Sequence, residues 1–318
     1  MSNQNSTENI FSKAAPAAAA LAMTASFIFL PFVGTIAVSF LPAAVAYARV
    51  RHGISNSALV SFFCAGFAVA MTGSYVMAFL VSLFCLTGIV LGNSVVAGEP
   101  GDKSILKATL FPLILAVPVA WSYLAVAGIN PWTLLDKWLN LSLQESIRIY
   151  QQMGMSQADI EALKPNLQLV VRVVTDYFPA LVVWIMAGAA SISLAALRVY
   201  LLSKGLPGGT RTVITAWYAP DPVVWGIIVP GFLMIPDYQP LRLAAGNVLA
   251  SFAIVYLFQG FAVLTYLFDR IRLTGFLRSL TLVLVLLQPF LILFMWAAGF
   301  FDTWADFRKI RPGAKPKG

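Results

Sequence analysis

Apolar residues dominate this chain in long runs, and polar residues are largely confined to the stretches between them. We place apolar segments at 14–32, 33–48, 55–73, 75–97, 106–128, 177–201, 223–236, 243–268 and 279–300. The pattern predicts an all-α fold, a polytopic transmembrane helical bundle of about 8–9 spans, because about 20 apolar residues cross a bilayer as a helix. Whether segment 223–236 crosses is left open, because it is short and lies between proline-rich stretches.

The stretch 129–176, between the fifth and sixth segments, has a different pattern. Asn130 followed by Pro131 is a helix start signal, and Ser156 and Asp159 have the spacing of a capping box. Apolar residues recur there at helical spacing among polar ones: Leu135, Leu139, Leu143, Ile147 and Tyr150. We therefore expect two amphipathic interfacial helices, which form an extracytoplasmic insert.

These patterns divide the chain into three parts. A polar N-terminal tail (1–13) precedes a single multi-pass membrane domain (14–303), which contains the insert, and a basic C-terminal tail (304–318) follows. The net charge of +8 comes from 21 Lys and Arg that lie mainly in loops and the tail. This distribution favours orientation in a membrane over nucleic-acid binding and places the loops 49–53 and 198–211 in the cytoplasm. The side of the C-terminal tail stays open.

Composition agrees with a membrane protein and narrows its chemistry. The chain is 59% hydrophobic and 11% charged, whereas soluble domains carry roughly 25% charged residues. The chain has one histidine, His52, and two separated cysteines, Cys64 and Cys85. These three residues do not form a ligand set for a metal or other cofactor. The spans contain essentially no ionisable residues, so we expect a non-enzymatic protein rather than a proton pump or an intramembrane enzyme.

Uncharged polar side chains within the apolar segments are the candidate contact residues. A carboxamide in hydrocarbon needs a hydrogen-bond partner, which another helix or a bound solute could supply. The candidates for ligand or helix contact are Asn247, Ser251, Gln259, Gln288 and Asn93. We expect Asn247 and Gln259 to point into the bundle, mainly as helix contacts. Asp302 and Asp306, just after the last segment, are interpreted as a surface turn.

The first apolar segment carries a second kind of candidate. Ala18 and Ala22 are four positions apart and share one helix face, which would let another helix approach closely. Two interpretations stay open: an alanine-rich helix packed within this chain, or a docking surface for a partner membrane protein.

Four stretches together resemble a known bacterial family. They are "IYQQMGMSQADIEALKP", "WYAPDPVVWGII", "GNVLASFAIVYLFQG" and the closing "GFFDTWADFRK". The chain is similar to the YybS-like membrane proteins, also called domain of unknown function 2232, from the first span to Arg308. The spacing of Asn247, Tyr256, Gln259 and Gly260 is among the most specific parts of the resemblance. The family has no established activity, so the resemblance implies no reaction.

The first six segments also resemble, in architecture, the substrate-binding subunits of energy-coupling factor vitamin transporters. That resemblance implies a membrane partner protein, docked on faces such as that of Ala18 and Ala22, and an external ATPase module. The leading hypothesis is a substrate-binding transport subunit for a small organic solute. The alternative is a scaffold or assembly factor for envelope or membrane protein complexes that uses 129–176 as its contact surface. Either protein would reside in the bacterial inner (cytoplasmic) membrane.

Overall fold

The computed structural model describes residues 2–210 and 214–310, with side chains from residue 14 onward except those of residues 31, 32 and 214. All regular elements within these residues are helical, which confirms the all-α prediction. The α-helices are α1 Ser2–Phe29, α2 Pro31–Val38, α3 Leu41–Thr72, α4 Tyr75–Val96, α5 Gly101–Val126, α6 Pro131–Gln152, α7 Gln157–Asp176, α8 Phe178–Ser203, α9 Trp225–Leu233, α10 Gln239–Arg270, α11 Gly275–Leu287 and α12 Pro289–Ala305.

The two amphipathic helices form where their start signals predict them. The Asn130 carboxamide oxygen accepts a hydrogen bond from the Trp132 amide at 2.9 Å, at the start of α6. The Ser156 hydroxyl accepts one from the Asp159 amide at 3.2 Å and donates one to the Asp159 carboxylate at 2.6 Å. Each cap satisfies an amide that has no partner within its own helix, so the chain turns into a helix at these positions.

Fewer helices qualify as membrane spans than the sequence predicts. By length and composition, five described helical stretches are candidates: Val33–Thr72, Tyr75–Val96, Gly101–Val126, Phe178–Ser203 and Gln239–Arg270. A sixth is possible if the bent pair α11 and α12 counts as one span. The predicted number of 8–9 is not confirmed. The apolar stretches Ala14–Phe29, which belongs to α1, and Asp221–Leu233 are shorter.

The chain packs as two compact units, which are described separately. Unit 1 comprises residues 1–162 and 182–212, and unit 2 comprises residues 163–181 and 213–318. In unit 1, α3 is interrupted at Gly53, whose φ of 85° and ψ of 178° lie outside the helical range. Before this break, α3 runs in the same direction as α4, because Gly88 lies against Pro42 and Gly92 lies against Arg49.

After Gly53, α3 runs in the opposite direction to α4. A tight turn at Gly73 joins the two helices, and Cys64 of α3 and Cys85 of α4 lie in the same buried core cluster across the hairpin. The chain therefore reverses at Gly53, and the stretch Val33–Thr72 consists of two antiparallel arms. Glycine is suited to this position because a positive φ is strained for residues with a Cβ. The reversal coincides with the loop that the sequence predicts at 49–53.

In unit 2, α12 packs closely along α10. Gly260 lies against the backbone of Met295, and Gly299 lies against the backbone of Tyr256, so that the two helices run in opposite directions. A Cβ on either glycine would overlap a main-chain carbonyl oxygen of the other helix. Two glycines on facing surfaces thus allow the backbones to touch, as at many helix crossings in membranes.

The last predicted segment, 279–300, is broken rather than continuous. Gln288 has φ −109° and ψ 105°, and α11 meets α12 there at an angle of 105°. The physical reason lies in the next residue, Pro289, which has no amide proton and disfavours helical geometry in the residue before it. Gln288 therefore occupies a corner between two helices and not the middle of a span.

Candidate functional site

Gln259 is fully buried and links α10 to two other parts of unit 2. Its carboxamide oxygen accepts a hydrogen bond from the Ala219 amide at 3.0 Å, and its Nε2 donates one to Asp302 Oδ2 at 3.0 Å. Both ends of the carboxamide are thus bonded to the chain itself. The position agrees with a helix contact, made to α12 and to the segment 214–219.

A buried ion pair adjoins Gln259. The Arg308 guanidinium contacts Asp302 Oδ2 through Nη2 at 2.7 Å and Nε at 3.2 Å, and the two side chains are 0% and 2% exposed. The other carboxylate oxygen accepts a hydrogen bond from the Phe307 amide at 3.0 Å. The prediction of a surface turn at Asp302 is therefore wrong, and we refer to Gln259, Asp302 and Arg308 as the polar cluster.

Arg308 extends the polar cluster to the segment before α9. Its Nη1 donates to the Thr215 carbonyl at 2.9 Å and to the Trp217 carbonyl at 2.7 Å. A buried charge is tolerated only when it is paired and hydrogen-bonded, and here the carboxylate and two carbonyls meet that need. The arrangement ties α10, α12 and the segment 214–219 together.

Local conformation brings Arg308 back onto α12. The helix ends at Asp306, which adopts a left-handed conformation with φ 42° and ψ 55°. Aspartate tolerates this region better than most residues because its short polar side chain can bond nearby backbone. The Asp306 carboxylate accepts a hydrogen bond from the Ile310 amide at 3.0 Å. The chain after α12 thereby folds back, and Arg308 reaches the carboxylate six residues earlier.

Asn247 bonds to the junction between α7 and α8. Its Nδ2 donates to the Asp176 carbonyl at 2.8 Å and to the Leu243 carbonyl at 2.9 Å, and its Oδ1 accepts from the Ala180 amide at 3.2 Å. The chain leaves α7 and enters α8 between these two partners, so Asn247 satisfies backbone groups exposed by the helix break. A ligand contact for Asn247 stays a prediction.

The three other polar candidates have different surroundings. The Ser251 hydroxyl donates to the Asn247 carbonyl of its own helix at 2.8 Å. Asn93 accepts a hydrogen bond from Arg49 Nε at 2.6 Å, within unit 1. The Gln288 side chain is exposed at the α11–α12 corner and makes no capping bond. The structure therefore does not gather the five candidates into one site.

Ala18 and Ala22 both lie on the exposed side of α1. The buried side of the same helix is formed by Pro16, Ala20 and Thr24, which follow one another at four-residue spacing. Among the residues that the structure describes, the small-residue face is therefore not used for packing. Docking of a partner there stays a prediction.

Two charged residues meet near the start of α5: Glu99, which the sequence analysis did not single out, and Arg198 of α8, which begins the predicted loop 198–211. Arg198 is 9% exposed, and its Nη2 donates to the Glu99 carbonyl at 3.2 Å. The Glu99 carboxylate pairs with Lys107, and this hydrogen bond lowers the pKa of Glu99 from its usual 4.5. These contacts join the α4–α5 turn to α8 within unit 1.

Comparison with known proteins agrees with the motifs read from the sequence. Residues 17–303 match the family described as predicted membrane protein, domain of unknown function 2232 (DUF2232). This chain belongs to the DUF2232 family. Its membership confirms the resemblance to that family, and with the apolar helices it makes the chain a multi-pass helical membrane protein. No curated protein and no solved structure matches the chain. The resemblance to energy-coupling factor subunits stays a prediction.

Proposed function

We propose that this DUF2232 protein is a non-enzymatic scaffold that contacts another integral membrane protein through α6. The observation that carries the proposal is that none of the 22 residues of α6 is buried, although ten of them are Leu, Ile, Trp or Tyr. The exposed fractions of Trp138, Leu141 and Ile149 are 64%, 54% and 47%. Large apolar side chains that their own chain leaves exposed are typical of an interaction site.

The position and charge of α6 favour a protein partner in the membrane. Four residues, 127–130, separate α6 from the candidate span α5, so α6 must lie close to the bilayer surface. Its two acidic residues, Asp136 and Glu145, balance its two basic ones, Lys137 and Arg148. A helix without net positive charge gains little from anionic lipid, and the apolar side is left as the main source of binding energy.

The polar contacts inside unit 2 also support a scaffold over a solute carrier. Asn247 and Gln259 are two of the five candidates for contact with a solute, and both bond to main-chain groups of the chain. Hydrogen bonds of this kind stabilise a fixed arrangement of helices, which suits a protein whose task is to hold a partner. On this proposal the protein acts in the bacterial inner membrane.

A second candidate function is the substrate-binding transport subunit, working with a membrane partner and an ATPase module. The exposed face of Ala18 and Ala22 favours it, because a small-residue face allows close packing of a foreign helix. Substituting Ile at both alanines should abolish co-purification of an ATPase module if this function applies. On the scaffold proposal, those substitutions should leave contacts of α6 unchanged.

Photo-crosslinking in intact cells tests the scaffold. A photoreactive amino acid placed at Trp138, Leu141 or Ile149, the exposed apolar positions, should give a protein adduct of one defined mass. Placed at Gln144 or Gln151, on the polar side of the same helix, it should give none. Substituting Asp at Leu135 should remove the adduct formed from Trp138. If the apolar positions crosslink only to lipid, α6 is a membrane-surface helix and the proposal is wrong.

A further inference from the structure

Helix α11 has an orientation that does not suit a membrane span. It meets α12 at 105°, and α12 packs along the long apolar helix α10. It has 13 residues, which is about 20 Å of helix, and the hydrocarbon core is ~30 Å thick. If α12 follows the membrane normal, α11 therefore runs within about 15° of the membrane plane.

One side of α11 is exposed and wholly apolar. At 3.6 residues per turn, six side chains fall within an arc of about 120°. They are Phe276, Leu277, Leu280, Val283, Leu284 and Leu287, with exposed fractions from 43% to 77%. On the opposite side Val285 is buried and Arg278 is half-buried. The apolar side thus faces away from unit 2.

The start of α11 is fixed to the end of α10. Arg278 forms an ion pair with Asp269, and its Nε donates to the Leu273 carbonyl at 2.8 Å. A further bond joins its Nη2 to the Phe268 carbonyl at 3.3 Å. The orientation of α11 is therefore set by contacts at its first turns and by the Pro289 corner at its end.

Two more arginines lie where α10 ends and the turn to α11 begins. Arg270 and Arg272 are exposed, and Arg272 has a positive φ of 53°. A turn with two exposed guanidinium groups beside an apolar helix matches the chemistry of a lipid surface. Arginine next to a membrane pairs with phosphate, and apolar side chains enter the acyl boundary.

We propose that α11 lies in the membrane plane, with its apolar side in the acyl-chain boundary and Arg270 and Arg272 on anionic phospholipid headgroups. In this position the end carbonyls of α11, which lack partners within the helix, can reach water. In the hydrocarbon core they would be unsatisfied. The helix thus serves as a membrane-surface anchor for the α10–α12 pair.

Depth measurement with spin labels tests the orientation. In protein lacking Cys64 and Cys85, single cysteines at Phe276, Leu280 and Leu287 are labelled after reconstitution in phosphatidylethanolamine–phosphatidylglycerol vesicles. Collision with oxygen and with a nickel chelate gives the depth of each label. From residue 276 to residue 287 the depth should change by about 4 Å in the proposed orientation and by about 16 Å along the membrane normal.

The matched control is a ladder along α12 with the same separation. Labels at Phe290, Leu293 and Phe301, all exposed, should differ in depth by about 16 Å between the outer two. If the α11 labels deepen as steeply as those of α12, α11 crosses or enters the core and the proposal is overturned.

A second experiment tests the headgroup contact. Native mass spectrometry of protein from the same vesicles should show bound phosphatidylglycerol in excess of phosphatidylethanolamine. Substituting Gln at both Arg270 and Arg272 should lower that excess at least twofold. Arg148→Gln, at an exposed arginine of α6, should leave it unchanged. An equal excess in all three proteins would overturn the assignment of the two arginines to anionic lipid.

Discussion

Gln259 of α10 and Asp302 of α12 are joined by a hydrogen bond of 3.0 Å, and both side chains are buried where the two helices meet. The carboxamide of Gln259 also accepts a hydrogen bond from the Ala219 amide, and the carboxylate of Asp302 also forms an ion pair with Arg308. A polar residue that would be unfavourable in hydrocarbon is thereby satisfied within the chain. On this account Gln259 stabilises the fold, and a substitution that removes its carboxamide should lower the measured stability.

Replacing Gln259 by Leu should lower the stability of the protein in detergent. The Ala219 amide loses its acceptor and Asp302 loses a donor, and each unsatisfied buried group costs about 1–3 kcal/mol. Thermal unfolding followed by tryptophan fluorescence measures the change. The matched control is Gln288→Leu, because Gln288 is exposed and makes no capping bond. Equal melting temperatures for the two variants would contradict the buried role of Gln259.

Replacing Asp302 by Asn should be more damaging still. The substitution keeps the shape of the side chain but leaves the Arg308 guanidinium buried without a counter-charge, at a cost of about 3–5 kcal/mol. Replacing both Asp302 by Leu and Arg308 by Met should destabilise less than Asp302→Asn, because no charge is then buried. Asp136→Asn, at an exposed aspartate of α6, is the control and should leave unfolding unchanged. A milder effect of Asp302→Asn than of the double replacement would refute the ion-pair assignment.

How much of this could be predicted depends on how far apart the partners lie in the sequence. The caps at Asn130 and Ser156 involve amides two or three residues away, so the local pattern predicts them. The reversal at Gly53 is likewise marked by a glycine in a charged loop. The break at Gln288 had a local signal in Pro289, but the long apolar run around it indicated a continuous helix.

The polar cluster could not be predicted in the same way. The hydrogen bond between Gln259 and Asp302 joins residues 43 positions apart in the sequence, and the bond from Arg308 to the Trp217 carbonyl joins residues 91 positions apart. Asp302 and Arg308 are six positions apart, which is not a helical contact distance, and only the left-handed turn at Asp306 brings them together. The sequence therefore indicated that Gln259 needs a partner without indicating which one.

Because α10 and α12 cross so closely, adding a methyl group at their contact should strongly lower the stability of the protein. Gly260→Ala and Gly299→Ala should each lower the thermal stability in detergent, because the added methyl group would overlap a carbonyl oxygen of the facing helix. The overlap must separate the helices, which loses packing along their contact. Gly66→Ala is the control, since beyond the adjacent backbone of its own helix no described atom lies within 4 Å of the Cβ position. There the substitution should be neutral or stabilising, and a loss as large as that of Gly260→Ala would count against the close crossing.

The pair of Glu99 and Lys107 predicts a pH dependence. The hydrogen bond from Lys107 lowers the pKa of Glu99 from 4.5 in the folded state. Its contribution to stability is therefore complete above about pH 4.5 and is lost as the pH falls through the lowered pKa. Lys107→Met should return the pKa of Glu99 towards 4.5, as an NMR titration with labelled glutamate would show. Lys103→Met, which removes a weaker and more distant charge, should shift it less, and the reverse order would contradict the assignment.

A double-mutant cycle between Gln259 and Asp302 tests most directly whether the polar residues of α10 are internal contacts. The free energy of unfolding is measured in detergent for the parent protein, Gln259→Leu, Asp302→Leu and the double variant, because leucine at either position removes the hydrogen bond. Residues that share a hydrogen bond should give a coupling energy of about 0.5–3 kcal/mol. Additive effects, with a coupling below about 0.3–0.5 kcal/mol, would contradict the account and reopen Gln259 as a contact for a solute.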